Sequence, residues 1–368
     1  MKYIFVLGRD PELSKAEIES YLEARKIPFT TIDNGKEALV IELSTFEKKI
    51  IKELGGTIKI AELLSSERRL DRIEYTLKEK ELYKGSKNKI TYSITALETD
   101  LDSFLEDYLK DYFKGMHLKA LHKKEVSPSQ LSQRKDALDF GVFRSHIGIT
   151  IAVSNPKELK RRDLERPAVD HMKVISLRLA KILINLSEAK ENSLFLDPFC
   201  GSGSILQEAL LLGCKVRGVD KDPESIRQAK LNLEWLKQNY PLKEDYTLHY
   251  SDARKLTLYV PIKSIDAVAT EPYLGPFIRK IPSIFEAITL IEDLTNLYAQ
   301  VLNQLSQVLK KGKKLIFITP RFKTKEGKTL FLNFEVLAKE HGFDPEKKFF
   351  YAYPESKLLR DIHVLRKN

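Results

Sequence analysis

A short apolar run that ends in an acid and a glycine turn constrains this chain more than any other segment. Leu194–Leu196 reads as a buried strand, Asp197 closes it, and a Gly-x-Gly turn at 201–203 leads into an amphipathic stretch from Ser204. This order predicts a strand, a glycine loop and a helix in direct succession. Such a loop lets a ligand lie against bare backbone at the N-terminus of a helix. The segment therefore predicts a cofactor site.

Length and composition set the class of protein. The chain has 368 residues, of which 42% are hydrophobic and 31% charged, a balance that favours two or three soluble domains. A formal charge of +10 favours a polyanionic partner such as nucleic acid, and a merely basic surface is the alternative. Two cysteines without metal-ligand spacing favour a cytoplasmic protein with no metal. We expect no membrane partner, because no window approaches an apolar span.

The first half of the chain divides into regions of different pattern. Residues 1–55 read as strand, helix, strand and strand, which predicts a small ferredoxin-like α+β unit. Residues 56–154 contain further strands and a helix. Residues 155–171 are charged and contain two prolines, which is typical of a linker.

Strands and helices alternate from residue 172 to 368, which predicts an α/β domain with a mostly parallel, doubly wound sheet. The last helix is predicted over residues 330–341. Two strands follow at 349–353 and 362–365, and because so short a segment separates them we expect an antiparallel pair at an edge of the sheet.

Acids follow four predicted strands, at the edge where such sheets bind ligands. Asp197 follows the first of these strands, Asp220 the second, Asp252 the third and Glu271 the fourth. An acid about 20 residues beyond a glycine turn is placed to bind ribose hydroxyls, which is the role expected of Asp220. Asp252 is placed to accept a hydrogen bond from an adenine amino group.

The same segment separates two classes of cofactor. Position 206 is Leu, so the third glycine of a Gly-x-Gly-x-x-Gly dinucleotide motif is missing. S-adenosylmethionine contains a ribose and an adenine but no pyrophosphate, and its positive sulfur suits a site lined by carboxylates. We therefore expect S-adenosylmethionine. Asp222 directly precedes Pro223 and is predicted to cap the next helix instead of binding the cofactor.

The segment Asp197–Gly203 is similar to the first cofactor motif of class I S-adenosylmethionine-dependent methyltransferases. Within that group the chain resembles the THUMP-domain tRNA guanine-N2 methyltransferases, the archaeal and eukaryotic enzymes that act on guanosine at position ten. Residues 5–14 resemble the start of that family, residues 143–162 the end of its THUMP domain, and residues 166–186 the helix before the motif.

The resemblance implies a C-terminal Rossmann-like methyltransferase domain with an antiparallel edge hairpin over 172–368 and a THUMP RNA-binding domain over 56–154. It implies transfer of a methyl group from S-adenosylmethionine to N2 of a guanosine in tRNA, and leaves open whether a small activator subunit takes part. The cofactor-binding residues expected on this basis are Asp197, Phe199, Gly201, Gly203, Asp220, Lys221, Asp252 and Ala253.

The expected catalytic loop departs from the Asp-Pro-Pro-Tyr pattern of the family. Here it reads Thr270-Glu271-Pro272-Tyr273, so either Glu271 or Thr270 takes the place of the acid. An oxygen that accepts a hydrogen of an exocyclic amine localises the nitrogen lone pair, and an aromatic ring can stack the base. All four residues are candidates for the catalytic site, and the target base must leave its stack to reach them.

Basic residues cluster before and within the predicted linker and suit an RNA backbone, although a solvated charged face is the alternative. The expected RNA-binding residues are Lys119, Lys123, Lys124, Arg144, Arg161 and Arg162. Two other functions stay open on the sequence. One is an amino-methyltransferase for ribosomal RNA, DNA or a protein glutamine, and the other is a cofactor-binding RNA-binding protein without catalysis.

Overall fold

The computed structural model describes residues 1–85, 87–127, 130–131, 136–168, 175–276, 280–352 and 358–368. The chain forms two compact units. The first contains residues 1–15 and 26–159, and the second contains residues 16–25 and 160–368. Each unit is built on one eight-stranded sheet. None of the described helices is long and apolar enough to cross a membrane.

The sheet of the first unit has the strand order β2-β3-β1-β4-β8-β7-β5-β6. Its strands are β1 (Lys2–Leu7), β2 (Phe29–Asn34), β3 (Ala38–Leu43), β4 (Thr57–Ser65), β5 (Lys89–Leu97), β6 (Lys119–His122), β7 (Ala137–Phe143) and β8 (His146–Val153). Strand β1 comes from the predicted region 1–55 and pairs with β4, which comes from the predicted region 56–154. One continuous sheet therefore contains strands of both regions. Helix α1 (Pro11–Ala24) begins in the first unit, and its residues from 16 onward belong to the second. The other helices of the first unit are α2 (Ile50–Glu53), α3 (Leu70–Lys78) and α4 (Asp102–Gly115).

The stretch predicted as a linker contains a helix, α5 (Pro156–Glu165). The sequence did not indicate this helix, because a charged helix with one buried side chain shows no apolar periodicity, and the linker over 155–171 stays a prediction. The last residues of that stretch, 169–171, lie outside the described residues.

The sheet of the second unit has the order β11-β10-β9-β12-β13-β16-β15, with β14 paired to β13. Its strands are β9 (Leu194–Asp197), β10 (Lys215–Asp220), β11 (Tyr246–Tyr250), β12 (Ala267–Thr270), β13 (Lys314–Lys323), β14 (Thr329–Phe331), β15 (Phe343–Tyr351) and β16 (Leu358–Lys367). The first five strands in this order are parallel, β16 runs antiparallel to β13, and β15 at the edge runs antiparallel to β16. This confirms the doubly wound sheet and its antiparallel edge.

In the second unit, helices alternate with the strands along the chain. They are α6 (Leu177–Leu186), α7 (Ser204–Leu211), α8 (Pro223–Asn239), α9 (Ile284–Val308) and α10 (Phe334–Glu340), with a 3₁₀ turn at Ala253–Leu258. Asp222 caps α8, as predicted, by accepting a hydrogen bond from the amide of Glu224. The helix predicted over 330–341 is shorter, because its first residues belong to the short strand β14.

A buried apolar core lies between the second sheet and α9, and it fixes the edge that carries the candidate site. Tyr298 of α9 packs edge-on against Phe317 of β13, and Phe317 stacks on Phe334 of α10. All three side chains are fully buried. Because β9, β10, β12 and β13 are parallel and in register, their carboxyl ends meet along one edge of the sheet.

Candidate functional site

The glycine loop between β9 and α7 adopts the backbone that its sequence predicts. Gly201 and Gly203 both have positive φ, at 51° and 85°, a region that other residues rarely adopt. A Cβ placed on Gly201 would meet no atom within 4 Å, so the backbone there faces open space. A Cβ on Gly203 would lie 3.4 Å from Ala229 of α8. Gly201 therefore leaves room for a ligand, and Gly203 allows close packing of a helix.

Asp220 at the end of β10 holds this loop in place. One carboxylate oxygen accepts a 2.9 Å hydrogen bond from the amide of Gly201, and the other accepts a 2.9 Å bond from the amide of Asp222. The side chain thus joins the ends of β9 and β10 through backbone amides. The carboxylate lies next to the open face at Gly201, and its predicted role at the ribose stays a prediction.

Asp197, the last residue of β9, is fully buried below the loop. Its Oδ1 accepts a 2.7 Å hydrogen bond from the hydroxyl of Thr270 and a 3.1 Å bond from the amide of Phe199. Burial raises the pKa of Asp197 to about 7, and the nearby carboxylates of Asp220 and Glu271 act in the same direction. Asp197 therefore lies behind the loop and shapes it, while Phe199 is the half-buried residue in front.

Asp252, predicted to receive an adenine amino group, is already bound by a neighbour. Arg254 donates to both of its carboxylate oxygens, at 3.0 and 2.6 Å, and the amide of Arg254 donates a third bond. These bonds hold the pKa of Asp252 below its usual range. Ala253 is buried behind it. An adenine amino group at Asp252 would share the carboxylate with Arg254, which the sequence did not suggest.

The acid of the expected catalytic loop forms an ion pair. Oε1 of Glu271 accepts a 2.5 Å hydrogen bond from Nε of Arg360 on β16. Both side chains are largely shielded from solvent. Among the described residues, none donates a hydrogen bond to the second oxygen, Oε2. The carboxylate is therefore fixed through one oxygen and able to accept a proton from a ligand through the other.

Either Thr270 or Glu271 was expected to take the place of the acid in the loop, and the two residues have different positions in the structure. Thr270 is the last residue of β12 and is fully buried, and its hydroxyl donates a hydrogen bond to Asp197. Glu271 is the first residue beyond the strand. The acidic group that the loop presents is thus Glu271, and Thr270 connects the loop to the cofactor side of the site.

Tyr273 is exposed and is held through its backbone. Its side chain is 47% exposed, and its carbonyl oxygen accepts a 2.8 Å hydrogen bond from the hydroxyl of Tyr298. The ammonium group of Lys221, which follows β10, lies 5.7 Å from the centre of the Tyr273 ring. Pro272 between the two functional side chains is buried. The ring is therefore available for stacking on a flat ligand.

The residues predicted to bind RNA fall into three kinds of environment. Lys119 in β6 and Lys123 and Lys124 just after it are exposed. Arg144, in the β7–β8 turn, forms ion pairs with Asp33 and Glu98 at 2.6 and 2.8 Å.

Arg161 is exposed, whereas Arg162, its neighbour on α5, is buried. The guanidinium of Arg162 donates to both oxygens of the buried Glu208, at 2.7 and 2.9 Å. The prediction that Arg162 contacts RNA was therefore wrong, because a buried ion pair occupies its side chain.

Sequence reasoning missed three residues that shape the site. Arg360 reaches Glu271 from 89 positions further along the chain, and Tyr298 reaches the loop from the middle of α9. Neither carries a local signal in the sequence. Arg254 follows Asp252 by two positions, and that spacing could have indicated the bond between them.

Two family models match the chain. One, described as an RMKL-like methyltransferase domain, matches residues 166–329. The other, described as DNA methylase, matches residues 33–231, which is more than half of the chain. The chain belongs to this family of methylases. It is a methyltransferase, and its cofactor is S-adenosylmethionine.

Curated relatives of this methyltransferase share one description. The tRNA (guanine(10)-N2)-dimethyltransferase of Methanothermobacter thermautotrophicus is 28% identical over 329 residues, which cover 88% of this chain and 90% of the relative. The enzyme of the same name from Pyrococcus abyssi is 34% identical over 163 residues, and the match spans 44% of each chain.

Solved structures support the fold of the methyltransferase. TrmN from Thermus thermophilus matches all of both chains with a TM-score of 0.54 and 16% identity. A possible methylase from Clostridium difficile 630 matches all of this chain and 98% of that chain, with a TM-score of 0.52 and 15% identity. At these identities the similarity concerns the architecture alone.

Proposed function

We propose that this methyltransferase transfers a methyl group from S-adenosylmethionine to the exocyclic N2 nitrogen of a guanosine in tRNA, at position ten. The observation that carries the proposal is the 2.7 Å hydrogen bond between Thr270 and Asp197. It holds the loop of Glu271 and Tyr273 beside the open glycine loop. The relatives described as tRNA (guanine(10)-N2)-dimethyltransferases support the choice of acceptor.

The residues of the glycine loop fit the cofactor. Gly201 offers bare backbone next to open space, and Asp220 lies beside it with a carboxylate suited to ribose hydroxyls. We assign Phe199, Gly203, Lys221 and Ala253 to the walls of the same site. S-adenosylmethionine, when bound, supplies a methyl group on a positively charged sulfur.

The loop after β12 suits an amine acceptor. We assign Oε2 of Glu271 as the acceptor of a hydrogen from the exocyclic amine, because Arg360 occupies only Oε1. Removing that hydrogen returns the lone pair to the nitrogen, and the proton passes from Glu271 to solvent. The carbonyl of Pro272 can accept the second amine hydrogen, and Tyr273 can stack the base. These contacts orient the nitrogen for attack.

The remaining tRNA contacts in this proposal come from the first unit and from Arg161, which belongs to the second unit. We assign residues 56–154 to a THUMP domain that follows a ferredoxin-like region, 1–55, and Lys119, Lys123, Lys124, Arg144 and Arg161 to RNA contacts. The charge of Arg144 is compensated by Asp33 and Glu98, so Arg144 is the weakest phosphate ligand of this set in the proposal. We further propose that the enzyme is cytoplasmic. The proposed reaction is the same with or without a small activator subunit.

Mass spectrometry of nucleosides tests the proposed acceptor. The purified chain is incubated with labelled S-adenosylmethionine and, separately, with tRNA, ribosomal RNA or duplex DNA. The DNA arm is included because one matching family model is described as DNA methylase. Label in N2-methylguanosine or N2,N2-dimethylguanosine from tRNA is the expected result. Label confined to ribosomal RNA or DNA, or no label on any acceptor, would overturn the proposal.

A further inference from the structure

The strand β13 continues well beyond the catalytic loop. Its residue Phe317 pairs with Thr270, the last residue of β12, and the strand runs on to Lys323. Arg321 therefore lies four residues beyond the pairing partner of Thr270, or roughly 13 Å along the strand. A Cβ placed on Gly275 in the catalytic loop would lie 3.5 Å from the ring of Phe322. The outer part of β13 thus borders the place where the acceptor must enter.

Three side chains on this outer part form a cluster, which we call the Arg–Phe cluster: Arg321, Phe331 and Phe350. The guanidinium carbon of Arg321 lies 4.8 Å from the ring centre of Phe331 and 5.3 Å from that of Phe350. Strand register explains the contact, because Phe331 is the direct partner of Arg321 across β13 and β14. Phe350 is the partner of Asp361 across β15 and β16.

Asp361 fixes the arginine and neutralises its charge. Both carboxylate oxygens accept from Nε of Arg321 at 2.8 Å, and the Asp361 side chain is almost fully buried. An arginine held in this way is a weak ligand for phosphate, because its charge is already compensated. Its flat face remains suited to stacking.

The two phenylalanine rings are exposed although they flank an arginine. Phe331 is 48% exposed at the end of the short strand β14, and Phe350 is 56% exposed near the end of β15. Aromatic rings beside a planar guanidinium are the surfaces on which proteins stack unpaired bases. The net charge of +10 also favours a nucleic acid over an apolar protein partner.

We propose that the Arg–Phe cluster binds an unstacked nucleobase next to the acceptor guanosine and so helps to hold the RNA open. The inference rests on the proposed function in that it requires an RNA acceptor. A guanosine that leaves its stack exposes the faces of neighbouring bases. The cluster offers a replacement stacking partner for one of them at the entrance to the catalytic loop.

Leucine and tyrosine variants of the two rings test the proposal. Leucine keeps the apolar side chain and removes the aromatic face, whereas tyrosine keeps both. The matched control is Phe285→Leu, because Phe285 is an 84% exposed ring in the same unit and lies on α9, outside the Arg–Phe cluster. Affinity is measured with tRNA that carries 2-aminopurine, one position at a time, in place of bases beside the acceptor guanosine.

We expect Phe331→Leu and Phe350→Leu each to weaken tRNA binding about tenfold and to abolish quenching of 2-aminopurine at one position. The tyrosine variants and Phe285→Leu should behave as the unchanged protein, and affinity for S-adenosylmethionine should stay the same in all of them. Circular dichroism and unfolding curves confirm that each variant is folded.

Unchanged tRNA affinity and quenching in both leucine variants would overturn the inference. So would a dimer of the unchanged protein that the leucine variants dissociate, because the cluster would then be a protein interface. These outcomes differ from failure of the proposed function. In that case the unchanged protein itself would place no label on tRNA guanosine.

Discussion

The hydroxyl of Thr270 donates a 2.7 Å hydrogen bond to the buried carboxylate of Asp197. This bond connects the carboxyl ends of two adjacent parallel strands, β12 and β9. One end bears the glycine loop and the other bears the loop of Glu271. The relative position of these two loops thus depends on a buried polar pair inside the sheet.

Asp197→Asn should remove a pH dependence of stability. The carboxyl has an ordinary pKa of 3.8, and burial raises it to about 7 in the folded protein. The folded state therefore holds a proton that the unfolded chain releases, and stability falls as the pH rises between these two values. From pH 5 to pH 7 the unchanged protein should lose about 2 kcal/mol relative to the variant.

Denaturant unfolding at several pH values measures this difference in stability. The fluorescence of Trp235, the single tryptophan, reports the unfolding of the second unit, in which it lies. The asparagine side chain can still accept from Thr270 and Phe199, so both proteins should fold. Unfolding curves that shift in parallel with pH in the two proteins would contradict the raised pKa.

Asp220→Ala should weaken binding of S-adenosylmethionine by about 2 kcal/mol, which lies within the range for hydrogen bonds to a charged acceptor. The carboxylate both shapes the loop at Gly201 and lies at the proposed ribose position. Asp222→Ala is the control, because it removes the cap of α8 and should cost about 1 kcal/mol of stability with unchanged cofactor affinity. Calorimetry measures both. Equal affinities of the Asp220 variant and the unchanged protein would remove Asp220 from the site.

Glu271→Gln should lower the rate of methyl transfer by about 100-fold or more, since general acid–base groups contribute on this scale. Cofactor affinity should stay unchanged. Arg360→Gln should lower kcat by a smaller factor without a change in KM for tRNA, because Arg360 positions Glu271 and touches no ligand in this account. Single-turnover assays measure the rates. Full activity of Glu271→Gln would show that another group accepts the amine hydrogen.

Arg162→Met and Arg161→Met should have opposite effects, although the residues are neighbours. Removing Arg162 leaves Glu208 buried without its main partner, so unfolding should become easier by about 3 kcal/mol while tRNA affinity stays the same. Removing Arg161 should change stability little and should reduce the salt dependence of tRNA binding by about one ion. A loss of tRNA affinity in the folded Arg162 variant alone would reverse these assignments.

Local sequence signals predicted the parts of the fold that depend on local chemistry. The strand, glycine loop and helix around Gly201 follow each other without a gap, and the cap at Asp222 needs only the residues next to it. The antiparallel edge of β15 and β16 followed from the short segment between them.

Contacts between distant segments could not be predicted in this way. The partner of Glu271 is Arg360, and its choice depends on the register of β16 against β13. Arg161 and Arg162 look alike in the sequence, and only the orientation of α5 buries one of them. The position of Thr270, inside the sheet and not in the loop, likewise depends on where β12 ends.

The proposed N2 acceptor is tested with tRNA in which inosine replaces guanosine at position ten. Inosine lacks only the exocyclic amine that we propose as the acceptor. Methyl transfer to the guanosine-containing tRNA, with label in the N2 position, and none to the inosine-containing tRNA is the predicted result. Equal labelling of the two tRNAs would contradict it, because the methyl group would then go to another atom.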